Sequence, residues 1–315
     1  MMPFVASMLM GAVPGAIAPP SNNAVYAAAY DTNSDWLLYN KSATTVLTTD
    51  HAASIVKLLT ALVVLDYKSA TLASDTGTVT SADLTRPGVI VTLQNNDVMT
   101  LSDLMKTMLI HSDNGAAQCL ARTVGDYIFS LTGTGSSGVT RFVAAMNARA
   151  AALGLTNTTV TQPDYGWTTT ALDIAKLAKV AWQSSTIRTG TSTVTTTVSV
   201  TGANARTITL RAIAPLINGP INDPGRGITY PGILADKNGI LSSTYYGNAA
   251  LWQAPDGIEV VLVALDAPSA YEAALAIIAM IETLAADFPY LANDWFVSGH
   301  LLLSGDAQSG TDKLL

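Results

Sequence analysis

Ser54 and Lys57 stand three residues apart at the head of a long apolar run, residues 58–65. If that run is a helix, residues at this spacing share a face, and the hydroxyl and the amine meet one turn apart. A serine hydroxyl becomes a good nucleophile when a base takes its proton. A lysine is such a base once burial or a nearby cation lowers its pKa. The same two residues could instead be a helix cap and a surface lysine, so the choice depends on partners elsewhere.

A second serine motif, Ser112-Asp113-Asn114, follows an apolar helical pattern that ends at His111. The Ser112 hydroxyl can relay a proton, and the Asn114 amide can orient a lysine and hold a substrate carbonyl. Serine, aspartate and asparagine are also the usual residues of a turn after a helix. Taken alone, this motif favours a turn.

A third motif, Lys237-Asn238-Gly239, lies in a strand pattern late in the chain. A lysine beside a nucleophile supplies positive charge for the anionic end of a substrate and helps to keep a neighbouring lysine neutral. Glycine lets a substrate backbone approach the strand closely. The Asn-Gly pair is also a strong hairpin signal, so a hairpin corner remains an alternative reading of this motif.

Together the three motifs form the set found in class A β-lactamases and penicillin-binding proteins. The residues around them extend the similarity, namely 53–61, 111–117, 142–147, 153–155 and Thr158. From about residue 24 to residue 287 the chain resembles the serine-type D-alanyl-D-alanine carboxypeptidases, which are low-molecular-mass penicillin-binding proteins.

The resemblance implies a catalytic role for three residues. Ser54 attacks the carbonyl of a D-alanyl-D-alanine end and forms an acyl-enzyme. Lys57 takes the Ser54 proton, and Ser112 passes it to the leaving amine. The substrates implied are peptidoglycan stem peptides or β-lactams, without a metal or other cofactor.

The resemblance also implies five substrate-binding residues. Asn114 binds the substrate amide, Lys237 faces the terminal carboxylate, and Gly239 lets the substrate lie close. The backbone N–H of Ile240 forms an oxyanion hole with that of Ser54. Asn238 departs from the family pattern, which has threonine or serine there, so we expect weaker recognition of a free carboxylate.

Other functions remain open. A class A β-lactamase needs a glutamate to activate the deacylating water, but the chain has only Glu259, Glu272 and Glu282, all beyond the third motif. Efficient turnover of that kind is therefore not expected. A β-lactamase-like esterase and a non-catalytic peptidoglycan-binding protein are the alternatives.

Hydrophobic patterns predict an α/β fold of the α+β type, with one antiparallel sheet built from both ends of the chain. Its strands are expected at 24–30, 36–40, 233–239, 245–254 and 259–266. Helices that flank the sheet or form an inserted region are expected at 54–67, 101–111, 116–129, 139–153, 170–183 and 269–288. A hairpin is expected within 192–215. The predicted domains are a possible signal segment at 1–20, a catalytic domain at 21–290 with a mostly helical insertion at 68–190, and a tail at 291–315.

Composition excludes several classes of function. The 315 residues carry a net charge of −7 without clustered lysine or arginine, so nucleic acid is not an expected partner. The single cysteine and three scattered histidines give no zinc motif. The apolar tail lacks cationic support, so a firm membrane anchor is not expected. We predict a monomer that is secreted or periplasmic, in the cell envelope.

Overall fold

The computed structural model describes residues 23–48, 51–88, 91–133, 135, 138–218, 228, 230–241 and 245–287. The predicted signal segment at 1–20 and the predicted tail at 291–315 lie outside these residues.

The predicted strands and helices follow one another along the chain in the predicted order, with additional short elements. The strands are β1 Tyr26–Asp31, β2 Leu37–Lys41, β3 Thr76–Thr78, β4 Val98–Thr100, β5 Thr159–Val160, β6 Trp167–Thr168, β7 Thr195–Val200, β8 Arg206–Arg211, β9 Ile233–Leu241, β10 Tyr245–Gln253 and β11 Glu259–Ala267. The helices are α1 Lys57–Lys68, α2 Leu101–Ile110, α3 Asn114–Thr132, α4 Gly138–Ala152, α5 Ala171–Gln183, α6 Ser185–Ser192, α7 Pro215–Asn218 and α8 Ala270–Asp287.

The main sheet joins the two ends of the described chain, which confirms the predicted fold class. Its order is β2-β1-β11-β10-β9, and every neighbouring pair is antiparallel. Residues 260–265 of β11 are apolar and buried throughout, as expected of a strand covered on both faces. Odd-numbered residues of this run pack into the core that contains α1, and even-numbered ones pack into the core that contains α8.

Helix α1 runs through the middle of the larger core. Residues 57–64 are all buried, and a helix that is apolar on every side is stable only when it is surrounded. Its start departs from the predicted continuous helix, because Ala53–Val56 form a 3₁₀ turn before the α-helix begins at Lys57. Residues three apart eclipse each other in a 3₁₀ turn. This geometry brings Ser54 directly beside Lys57.

Three further helices differ from the sequence-based expectation, and one of them is the single-turn helix α7, for which the sequence predicts no helix. Helix α3 begins at Asn114, two residues early, because the Asp113 carboxylate accepts a hydrogen bond from the Ala116 N–H at 2.7 Å and caps it. Helix α6 was not predicted, since its Ser-Thr-Gly composition has low helix propensity. Tertiary contacts stabilise it: Arg188 pairs with Glu259 at 2.8 Å. Among the described helices, none is long and apolar enough to cross a membrane.

Close contact between α3 and α4 depends on glycine. A Cβ atom on Gly125 would lie 1.9 Å from the Gly138 carbonyl oxygen, so the two helices would have to separate. We predict that Gly125→Ala lowers the free energy of unfolding by about 3 kcal/mol, the upper range for overpacking. Denaturant titration measures this loss.

Gly133→Ala is the matched control on the same helix. Gly133 has φ +65° with nothing within 4 Å of an added Cβ, so only backbone strain of about 1 kcal/mol is expected. Equal losses in the two variants would contradict the proposed steric constraint.

Candidate active site

The Lys57 amine is the centre of the site. Its Nζ donates to Ser54 Oγ at 2.6 Å, to Asn114 Oδ1 at 2.7 Å and to the Asp164 carbonyl oxygen at 3.3 Å. The side chain is fully buried. These three oxygens match the three protons of an ammonium, and a neutral amine could instead accept the Ser54 proton.

The surroundings of Lys57 shift its ionisation towards the neutral amine. The pKa of Lys57 is lowered to about 8, chiefly by burial; the Arg86 guanidinium acts in the same direction, whereas the Asp164 and Asp113 carboxylates oppose the shift. At pH 7 about a tenth of the molecules then carry a neutral amine at this position. Lys57 therefore has the ionisation that a general base for Ser54 requires.

A second buried lysine lies beside a second hydroxyl. Lys237 Nζ donates to Ser112 Oγ at 2.9 Å and to the Asn238 carbonyl oxygen at 2.7 Å. Burial lowers the pKa of Lys237 well below its usual value, and the nearby charge of Lys57 acts in the same direction. The two lysines thus face one site, each with a serine hydroxyl.

Ser112 is held in an uncommon backbone conformation. Its φ of +57° lies in the left-handed region, which residues other than glycine rarely adopt. The residue forms the corner between the end of α2 and the start of α3 at Asn114. Burial raises the pKa of the neighbouring Asp113 to about 6, although its carboxylate accepts hydrogen bonds from the Ala116 and Val91 N–H groups.

The 3₁₀ turn packs against strand β9 at Gly239. A Cβ atom there would lie 2.3 Å from the Ala52 carbonyl oxygen and 3.2 Å from the Ser54 nitrogen. Gly239 is thus required for close approach. The next residue, Ile240, has an exposed side chain.

Asn238 follows Lys237 on β9, and its side chain is bound at Ile213. Its Nδ2 donates to the Ile213 carbonyl oxygen at 3.3 Å, and the residue is only 2% exposed. Among the described residues its Oδ1 has no hydrogen-bond partner. In this geometry its amide is engaged with the protein.

Several contacts at the site were not anticipated from the sequence. Arg86 pairs with the buried carboxylate of Asp164 at 3.0 Å, and the adjacent Pro87 carbonyl accepts a hydrogen bond from Asn114 Nδ2 at 2.5 Å. Thr60 Oγ1 donates to the Pro163 carbonyl oxygen at 2.6 Å. Partners this far apart in sequence leave no local signal.

The Asp113 cap could have been found from the sequence, because aspartate before a helical pattern is a typical N-cap. Within the part of the chain that is described, no three His, Cys, Asp or Glu side chains gather as a metal site.

Comparison with known proteins shows what the whole chain is similar to. The family model of D-alanyl-D-alanine carboxypeptidases (peptidase S11) matches residues 15–217. The crystal structure of the Streptomyces K15 DD-transpeptidase is 24% identical, with a TM-score of 0.73 over 86% of this chain and 100% of that one. A D-alanyl-D-alanine carboxypeptidase structure from Mycobacterium tuberculosis is 21% identical, with a TM-score of 0.68 over 89% and 96% of the two chains. No curated protein sequence matches the chain.

The fold is therefore that of the DD-peptidases, shared with penicillin-binding proteins and β-lactamases. The chain belongs to the D-alanyl-D-alanine carboxypeptidase family of serine peptidases, which confirms the resemblance inferred from the three motifs.

Gly239 provides a test of the packing around Ser54. We predict that Gly239→Ala lowers the rate of D-alanine release from a D-alanyl-D-alanine peptide by about 100-fold, because displacement of the turn by a fraction of an ångström misplaces the hydroxyl. The measurement is release of free D-alanine under saturating and subsaturating peptide.

Gly257→Ala is the control, since Gly257 has φ +90° and open space around an added Cβ at the β10–β11 turn. It should retain activity despite its backbone strain. A Gly239→Ala enzyme with wild-type kinetics would contradict the requirement for close approach.

Proposed function

We propose that the protein removes the terminal D-alanine of peptidoglycan stem peptides through an acyl-enzyme on Ser54 and that penicillins acylate the same residue. The observation that carries the proposal is the buried Lys57 amine, 2.6 Å from Ser54 Oγ, whose pKa burial lowers to about 8. A lysine in this state can accept the serine proton at neutral pH.

The reaction begins with proton transfer. Neutral Lys57 accepts the Ser54 proton while Ser54 Oγ forms a bond to the carbonyl carbon of the penultimate D-alanine. The N–H groups of Ser54 and Ile240 stabilise the oxyanion of the tetrahedral intermediate. The close packing of β9 on the 3₁₀ turn supports this assignment, because it brings the two backbones together.

Collapse of the intermediate releases D-alanine. The bond from the carbonyl carbon to the leaving nitrogen breaks, and Ser112 delivers a proton to that nitrogen. The Lys57 ammonium returns its proton to Ser112 and becomes neutral again, while Lys237 Nζ, 2.9 Å from Ser112 Oγ, holds that hydroxyl in place. Water then attacks the Ser54 ester, which frees the shortened peptide and restores the hydroxyl.

Substrate binding uses the remaining residues of the motifs. Lys237 supplies positive charge for the terminal carboxylate, and the Asn114 amide binds the substrate amide. The Asn114 Nδ2 donor is occupied by the Pro87 carbonyl, so a bound substrate has to replace that contact. Peptidoglycan lies outside the cytoplasm, and we place the enzyme there as well.

Two assays with intact-protein mass spectrometry test the proposal. A fluorescent penicillin should label the wild type and not Ser54→Ala, and a D-alanyl-D-alanine peptide should release D-alanine only with Ser54 present. A wild type that is neither labelled nor active would contradict the proposal and favour a peptidoglycan-binding protein.

A simple ester is the third substrate in this experiment, because Asn238 favours a second candidate function. The family hydroxyl at this position is replaced by a buried amide that is engaged with Ile213. Hydrolysis of the ester through Ser54, without release of D-alanine, would identify a β-lactamase-like esterase instead.

Asn238→Thr should raise the rate of penicillin acylation and of D-alanine release by about tenfold. A threonine hydroxyl restores a donor for the substrate carboxylate, and a hydrogen bond to a charged group contributes about 1.5–3 kcal/mol net, the lower end of which is about tenfold in rate. The second-order acylation rate constant measures the gain.

Asn248→Thr is the matched control, because Asn248 is the buried cross-strand partner of Asn238 on β10. It makes the same chemical change one strand away from the motif. An unchanged rate in Asn238→Thr would remove the argument that this position limits carboxylate recognition.

A further inference from the structure

A buried ion pair lies next to the Lys57 amine. Arg86 Nε and Nη2 donate to the two carboxylate oxygens of Asp164 at 3.0 and 3.2 Å. The Asp164 side chain is 0% exposed and the Arg86 side chain is 25% exposed. Because the Asp164 backbone carbonyl also accepts a hydrogen bond from Lys57 at 3.3 Å, the ion pair is directly connected to the proposed base.

The position of Asp164 is determined by α1. Thr60 Oγ1, one turn after Lys57, donates to the Pro163 carbonyl oxygen at 2.6 Å and holds the turn that contains Asp164 against the helix. The carboxylate therefore cannot move away from Lys57 without loss of a buried hydrogen bond.

Four titratable or charged groups face Lys57. The Asp164 and Asp113 carboxylates raise the pKa of Lys57, and the Arg86 guanidinium lowers it. Lys237 is the fourth group, close enough that the charge of Lys57 lowers its pKa. An uncompensated Asp164 carboxylate in this low-dielectric position would stabilise the ammonium and suppress its function as a base.

Arg86 makes further contacts that hold it in place. Its guanidinium lies over the Tyr165 ring, 4.1 Å from the centroid. The next residue, Pro87, accepts the hydrogen bond from Asn114 Nδ2. Arg86 thus connects the turn at Asp164 with the segment that covers Asn114.

We propose that Arg86 is a positioning residue for the reaction: it compensates the buried Asp164 carboxylate and so raises the fraction of Lys57 in the neutral form that activates Ser54. The proposal rests on the proposed role of Lys57 as base. A purely structural ion pair would hold the loop in place and leave the ionisation of Lys57 unchanged.

Removal of the Arg86 charge and removal of the Asp164 charge should move the titration midpoint of Lys57 in opposite directions. Arg86→Gln leaves Asp164 uncompensated, so the Lys57 midpoint rises by about one pH unit. At pH values below the midpoint, the neutral fraction of Lys57 then falls about tenfold. Asp164→Asn keeps the backbone carbonyl and removes the carboxylate, so the midpoint falls. The double variant Arg86→Gln/Asp164→Asn should titrate near the wild type.

Two readouts follow the shift. The first is the ¹³Cε chemical shift of labelled lysine as a function of pH, with the Lys57 signal assigned by its loss in Lys57→Met. The second is the pH profile of Ser54 acylation by penicillin. Since the ammonium form is inactive, a higher midpoint moves the rise of the rate to higher pH, and acylation of Arg86→Gln at pH 7 falls about tenfold.

Arg122→Gln is the matched control. Arg122 pairs with Asp83 through Nε at 3.1 Å and Nη2 at 2.7 Å. The exposed fractions of 28% for Arg122 and 3% for Asp83 resemble those of the Arg86–Asp164 pair. This variant should lose stability without any change in the Lys57 midpoint.

An unmoved Lys57 midpoint in Arg86→Gln would overturn the proposal. If that variant does not fold, Asp164→Asn decides, and a midpoint that stays or rises overturns it. If the Lys57 midpoints of the variants move as expected but penicillin does not acylate the wild type, only the proposed function is refuted. Unmoved midpoints in an acylated enzyme would refute only the role of Arg86.

Discussion

Burial of the Lys57 amine is the constraint on which the rest of the site depends. An ammonium removed from water is costly unless it is paired with acceptors or becomes neutral. The fold supplies acceptors from three separate segments of the chain: Ser54 on the turn before α1, Asn114 at the start of α3 and the carbonyl of Asp164. Each must lie within hydrogen-bond distance, so the turn, the α2–α3 corner and the segment before α5 are positioned together around one nitrogen.

The sheet contributes a second, independent constraint at its edge. Strand β9 presents Lys237 to Ser112 on the side where Gly239 lets the 3₁₀ turn approach. A larger residue in place of Gly239 would separate the two halves of the site. Ser54 at the start of α1 and Ser112 at the α2–α3 corner both face β9, and each hydroxyl lies beside a buried lysine. The proton transfers that we propose follow from this adjacency.

Much of the fold could be predicted from local patterns. The five main strands and six of the helices have apolar runs with the period of their element, so they could be recognised without any structure. Helix α6 could not, because its polar sequence has low helix propensity and its stability comes from tertiary contacts such as the burial of Ile187 and the Arg188–Glu259 pair. The start of α3 depends on the Asp113 cap, because the same Ser-Asp-Asn sequence is equally typical of a turn.

The candidate site likewise contains residues that the sequence identifies and contacts that only the tertiary structure shows. Sequence by itself determined the family, the antiparallel sheet from both ends, and Ser54, Lys57, Ser112, Asn114 and Lys237 as residues to be brought together, because each lies in a short motif. Tertiary structure alone decided that Arg86 and Asp164 pair beside Lys57, that Pro87 engages Asn114 and that Asn238 turns towards Ile213. Charge compensation acts through space between residues 78 positions apart in sequence, and no periodicity records it.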